Sequence, residues 1–126
     1  MAETPGRKRY DLDERTFKFA KGVISLVRQY PRDTATTEIV RQVVRSSGSV
    51  GANYVEASES LGKKDFLMRA RICRKEAKET VYWLRLLEGV RPQFDVTREA
   101  LITEASELMR IFGAIVSRVE TREGSE

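Results

Sequence analysis

The sequence predicts an all-α protein, an antiparallel up-down-up-down four-helix bundle. Three observations carry this prediction. Apolar residues recur at three- and four-residue spacing along four stretches of the chain. No stretch alternates apolar and polar residues as a half-buried strand would. Pro31, Gly62, Gly89 and Pro92 punctuate the sequence between those stretches, leaving short connections of the kind that place neighbouring helices antiparallel.

The first helix is expected from about Asp13 to Tyr30. Phe17, Ala20, Ile24 and Val27 form one apolar row, and Phe19, Val23, Leu26 and Tyr30 a second row beside it. Two rows make a wide stripe, suited to a helix with neighbours on two sides. Pro31 ends it, because proline disfavours helical geometry in the preceding residue.

The second helix begins in the cluster Asp33–Thr37, whose side-chain oxygens can cap exposed amides, and continues to Leu61. Its middle, Ser46-Ser47-Gly48-Ser49-Val50-Gly51-Ala52-Asn53, has the composition of a loop. Each glycine costs about 1 kcal/mol relative to alanine inside a helix. The apolar positions Val43, Val50, Tyr54 and Ala57 nevertheless stay in phase across it, so helix is expected here, with small side chains admitting a close neighbour. The competing reading is a loop between two shorter helices.

Gly62 is read as closing the second helix. The third is expected from about Lys64 to Glu88, with Phe66, Ala70, Cys73, Ala77, Val81 and Leu84 as its core row. The fourth starts at Thr97 as N-cap, with Glu99 in the first turn, where the helix dipole favours an acid. Leu101, Ala105, Leu108, Phe112, Ile115 and Val119 follow at alternating fours and threes. Residues 1–10 are read as a flexible arm, 11–120 as the bundle domain and 121–126 as a frayed tail.

Composition narrows the chemistry. The chain has 126 residues, enough for one core, and a formal net charge of +4. It contains no histidine, which removes the commonest general base, the usual zinc ligand and the Glu-x-x-His pairs of di-iron bundles. The serines Ser46, Ser47 and Ser49 therefore lack a histidine to activate them. Cys73 is the single cysteine and sits in a core row, so it reads as a packed thiol in a reducing compartment. No apolar run approaches the roughly 20 residues of a membrane span, and the first residues do not form a secretory signal. A cytoplasmic protein with no catalytic residue, metal or cofactor is expected.

Two constellations remain. Lys64, Arg71, Lys75, Lys78, Tyr82 and Arg85 fall near one face of the third helix, with Arg74 alongside. Such a basic ridge with an aromatic in it can neutralise phosphates and stack a base. The alternative is a solvated outer face balanced by nearby acids. Lys18, Lys21 and Arg28 offer a further basic face on the first helix. The second constellation is Glu76 and Glu79, which lie in an apolar row with Trp83. Buried acids need partners, so they are read as ion pairs to arginines of this chain or of another subunit, rather than as metal ligands. Glu56, near Asn53, is read as fixing register, and together with Glu76, Glu79 and Trp83 as belonging to a subunit interface or its ion pairs. Tyr82 and Trp83 are adjacent, so one of them should point outward.

The run Ser46–Asn53 followed by Glu56 resembles the helix-two signature of the four-helix-bundle protein family first met as proteins encoded in intervening sequences of bacterial 23S rRNA genes. Asp65-Phe66-Leu67, Lys75-Glu76-Ala77-Lys78-Glu79-Thr80 and Tyr82-Trp83-Leu84-Arg85-Leu86-Leu87 resemble its helix-three signature. Glu107-Leu108 with Ile111 resembles its last helix. Ser58 departs from the glycine of many members, and Cys73-Arg74 from a common small or aliphatic pair. The resemblance implies a bundle that assembles into a ring-shaped pentamer. It also implies a relationship to accessory proteins of diversity-generating retroelements, which bind a reverse transcriptase and nucleic acid, and it implies no enzymatic activity. The leading expectation is a non-enzymatic homo-oligomer that binds nucleic acid, RNA rather than DNA, through the basic face of the third helix. The alternative is a scaffold or accessory subunit for a protein partner such as a polymerase.

Overall fold

Asp33 starts the second helix in the way its side chain allows. Its Oδ1 accepts from the Thr36 amide at 2.9 Å, and its Oδ2 accepts from the Thr36 hydroxyl at 3.1 Å. These bonds hold the Asp33 carboxyl below its ordinary value, the backbone bond from Thr36 contributing most. In the computed structural model, which describes residues 7–124 and the side chains of 12–122, this helix is one of four. They are α1 (Arg7–Val27), α2 (Thr34–Ser58), α3 (Lys63–Arg85) and α4 (Asp95–Gly124), with a 3₁₀ turn at Pro92–Phe94.

Each helix packs on its chain neighbour, and α1 also meets α4, which closes the four into a bundle. The connections are short, so consecutive helices run antiparallel, as the sequence predicts. Val23, Val43, Val50, Cys73, Leu84 and Leu108 meet in the centre with no exposure. Tyr54 and Phe112 join α2 to α4 through rings 5.7 Å apart.

The helix α2 passes unbroken through Ser46–Asn53. A Cβ on Gly51 would stand 3.1 Å from Thr16 Oγ1, so this glycine permits the close approach of α1. Gly48 faces outward and has nothing near it.

Several ends differ from the sequence expectation. The helix α1 starts at Arg7 rather than Asp13, because the polar residues ahead of its apolar rows are themselves good helix formers. It ends at Val27, and the chain tightens into i→i+3 bonds from Gln29 to Leu26 and from Tyr30 to Val27 before Pro31. Gly62 does not close α2. It is the extended N-cap of α3, while α2 ends at Ser58 with Glu59 as its cap. The helix α3 stops at Arg85, short of Glu88, and Gly89 turns the chain with φ +78. The helix α4 begins at Asp95 rather than Thr97. Its outer turns include residues 121–124, and residues 1–6 and 125–126 of the expected arm and tail lie outside the described residues.

The wide stripe of α1 also divides. Phe19, Val23, Leu26 and Tyr30 are buried, but of the other row Phe17 and Ile24 face out.

Arg98, in the first turn of α4, is 2% exposed. Its Nε donates to Asp95 Oδ1 at 3.0 Å, Nη1 to the Leu84 carbonyl at 3.1 Å and Nη2 to Glu99 Oε2 at 2.8 Å. It therefore binds one of the last carbonyls of α3 to the start of α4. The neighbouring Gly89 amide donates to the Asp95 carboxylate at 3.2–3.3 Å.

Candidate functional site

The outer face of α3 carries the basic ridge. Lys64, Arg71, Arg74, Lys75, Lys78 and Arg85 are all exposed. They are not equivalent. Arg71 forms an ion pair with Glu120 of α4, so its charge is partly neutralised. Lys64 and Arg85 lie near the two ends of α3, away from the centre.

At the centre, Arg74, Lys75 and Lys78 meet Met109 and Arg110 of α4 around a shallow groove of about 490 Å³. The stem of Arg74 runs over Gly113, whose missing side chain leaves room for it. None of these four cations forms an ion pair with another described residue. By contrast, Arg15 is paired with Glu104 and Glu107, Arg45 with Glu76 and Glu79, and Arg98 with Asp95 and Glu99. The bond to Glu104 is the main reason the Arg15 guanidinium is held further into its charged form. Like charges gathered on one concave surface repel one another and raise the local concentration of anions. Such a cluster is chemically suited to anions, and its forked guanidinium groups have the geometry to bind a phosphate bidentately.

Arg110 is absent from the sequence-derived ridge. It lies on the polar side of α4, and only the packing of α3 on α4 brings it beside Lys78.

Glu76 and Glu79 find their partner within the chain. Arg45 Nη1 stands 3.3 Å from Glu76 Oε1, and Nη2 stands 2.5 Å from Glu79 Oε1. Glu76 is 7% exposed, so the pair spares a buried carboxylate from standing alone. Trp83 is half-buried and donates its indole N–H to Glu79 Oε1 at 3.2 Å. Tyr82 is the outward member of the aromatic pair, edge-on to Trp83 with ring centroids 5.1 Å apart. Glu56 is exposed, and its main-chain carbonyl accepts from the Glu59 amide at 3.1 Å and from the Ser60 hydroxyl at 3.4 Å. Nearby, Asn53 bonds Ser49 and accepts from Arg69 Nη1 at 3.0 Å. Among the described residues, no three Cys, Asp or Glu side chains converge to hold a metal ion. No described helix is long and apolar enough to cross a membrane.

A second, larger concavity of about 1,070 Å³ opens at the end of the bundle where the α2–α3 connection lies. Its floor includes Leu12, Tyr54, Phe66, Ile111, Ile115 and Val119. Leu61, at its edge, is fully exposed.

The family model described as the 23S rRNA-intervening sequence protein matches residues 8–114. The chain is also similar to a solved structure described as a protein with unknown function from the S23 ribosomal protein family of Bacteroides thetaiotaomicron. The two share 26% identity and superpose with a TM-score of 0.75, over 87% of this chain and 98% of the other. No curated protein matches. Neither description names an enzymatic activity.

Proposed function

Because this chain belongs to the 23S rRNA-intervening sequence protein family, we propose that it is a non-enzymatic, homo-oligomeric bundle that binds RNA through the groove between α3 and α4. The observation that supports this reading is the division among its cations. Arg15, Arg45, Arg71 and Arg98 are held in ion pairs within the fold, whereas Arg74, Lys75, Lys78 and Arg110 share one groove with no ion-pair partner among the described residues. Lys64 and Arg85 extend the same face towards its ends. A ring of subunits, pentameric as the family resemblance implies, would repeat the groove around an axis and bind by avidity.

The test is binding of a labelled RNA hairpin across a salt series. Wild-type affinity should fall steeply with salt, and Lys75→Glu/Lys78→Glu should weaken binding and lower the salt slope by about 2. Undiminished binding by a variant of normal helicity sinks the assignment.

One observation favours a second reading, a scaffold for a protein partner such as a polymerase: the open concavity at the α2–α3 end, where Leu12, Phe66, Ile111 and Val119 stand beside Arg15 and Arg118. Native mass spectrometry of the purified protein separates the possibilities for self-assembly. A pentamer supports the ring, and a monomer at micromolar concentration removes it.

A further inference from the structure

Tyr82 is 54% exposed, yet contacts reaching back to α2 hold its surroundings in place. Its ring meets that of Trp83 edge-on, at 5.1 Å and an interplanar angle of 77°. The Trp83 indole N–H is bound to Glu79 Oε1 at 3.2 Å. That carboxylate is held by Arg45, whose Nε donates to Gln42 Oε1 at 3.2 Å and whose Nη1 reaches the buried Glu76. The chain Arg45–Glu79–Trp83 thus fixes the ring against which Tyr82 leans. On the exposed side, Lys78 lies one turn before Tyr82 and Arg85 one turn after it, so cations stand ahead of and behind the phenol.

We propose that Tyr82 is a positioned stacking platform for an unpaired base, so that the ligand of the basic face is RNA with a single-stranded stretch, such as a hairpin loop. This rests on the RNA-binding reading given above. The bases of an uninterrupted duplex are already stacked and offer no free face, whereas loop bases can be splayed onto an aromatic ring. A ring held in place before binding loses less conformational freedom than a mobile one. Flanking cations lie where the backbone on either side of a stacked base would pass. Tyr82 would touch the base, and Glu79 and Arg45 are positioning residues that act through Trp83.

The experiment compares two RNAs of equal length, one a hairpin with an unpaired loop carrying 2-aminopurine and one a perfect duplex. Tyr82→Ala should lose about tenfold affinity for the hairpin and none for the duplex. Tyr82→Phe should keep both, together with the fluorescence quenching that marks a stacked 2-aminopurine. Glu79→Ala should reduce the quenching and the hairpin affinity alone, and Glu79→Gln, whose carbonyl still accepts from Trp83, should restore them. Lys75→Glu/Lys78→Glu should weaken both RNAs, which separates loss of the phosphate groove from loss of the platform. Equal affinity of Tyr82→Ala and wild type for the hairpin, or an equal loss on both RNAs, overturns the platform while leaving the groove. Absence of wild-type binding to either RNA overturns both.

Discussion

The hydroxyls of Ser46 and Thr80 lie 2.8 Å apart between α2 and α3, and neither residue is exposed. Thr80 Oγ1 also stands 2.8 Å from the Glu76 carbonyl, so the pair is a small polar network inside an apolar seam. Thr80→Val keeps the shape and removes the partner of Ser46. It should cost about 1–2 kcal/mol, because a buried hydroxyl left short of partners retains its desolvation penalty. Ser46→Ala combined with Thr80→Val should cost less than the sum of the single changes. Urea titration of the four proteins in a double-mutant cycle checks this, and strict additivity would show that the two hydroxyls do not depend on each other.

The two glycines of the α2 signature should respond oppositely to alanine. Nothing stands within 4 Å of a Cβ on Gly48, so Gly48→Ala should gain about 0.5–1 kcal/mol from helix propensity. On Gly51 the same Cβ would sit 3.1 Å from Thr16 Oγ1 and 3.3 Å from Thr16 Cβ. Thr16 is β-branched, buried and bonded to the Leu12 carbonyl at 2.8 Å, so it cannot easily move aside. Gly51→Ala should therefore bring no gain. Thermal melts of both variants, compared at one protein concentration, decide the matter. Equal stabilisation would contradict the close approach of α1 and α2.

Burial pushes the Cys73 thiol up from its ordinary value of 9.0 to about 12, outweighing the opposing pull of its backbone hydrogen bond and of Arg69. The sign follows from linkage. Between pH 9 and 12 the unfolded chain gives up this proton and the folded chain keeps it, so the group's contribution to stability falls as pH rises through that window. Burial raises Tyr30 as well, and its contribution has the same sign. At pH 8 the native protein should react with a thiol-specific disulfide reagent only as fast as it opens, and adding urea should accelerate the reaction strongly. Prompt reaction without denaturant would place the thiol at the surface.

Tyr30 and Arg98 make a contrasting pair. The Tyr30 hydroxyl is buried with no hydrogen-bond partner among the described residues, so Tyr30→Phe should be neutral or stabilising by up to about 1 kcal/mol. Arg98→Met should cost about 2 kcal/mol or more, because it leaves the Leu84 carbonyl without its guanidinium donor and loosens the α3–α4 corner. Chemical denaturation of both variants tests the ranking, and a larger loss for Tyr30→Phe would reverse it.

The fold was legible because its signals were local. The phase of Val43, Val50, Tyr54 and Ala57 carries α2 through a loop-like composition, and the Asp33 cap follows from side-chain chemistry within three residues. That one of Tyr82 and Trp83 turns outward follows from their adjacency, and the structure shows that it is Tyr82. Whatever depended on packing was less legible. Arg110 enters the basic groove only through the crossing of α3 and α4. Arg45 as the partner of Glu76 and Glu79 required the register of α2 against α3. Arg98 did leave a signal, since it stands seven residues before the buried Ala105 and shares its face of α4. Gly62 starts α3 rather than closing α2, since a glycine beside a helix end fits the start of the next helix as well as the close of the last.

The ion pairs from Arg15 to Glu104 and Glu107 join side chains 89 and 92 residues apart, whereas the most extensive packing lies between successive helices. Contacts between chain neighbours close short loops and form quickly, whereas this pairing spans most of the chain and closes a short effective loop only once the intervening helices have packed. If α1 docks on α4 after the successive helices have packed, amides of α1 should exchange with solvent through partial openings that leave α2, α3 and α4 associated, and uniform protection across all four helices would contradict that order.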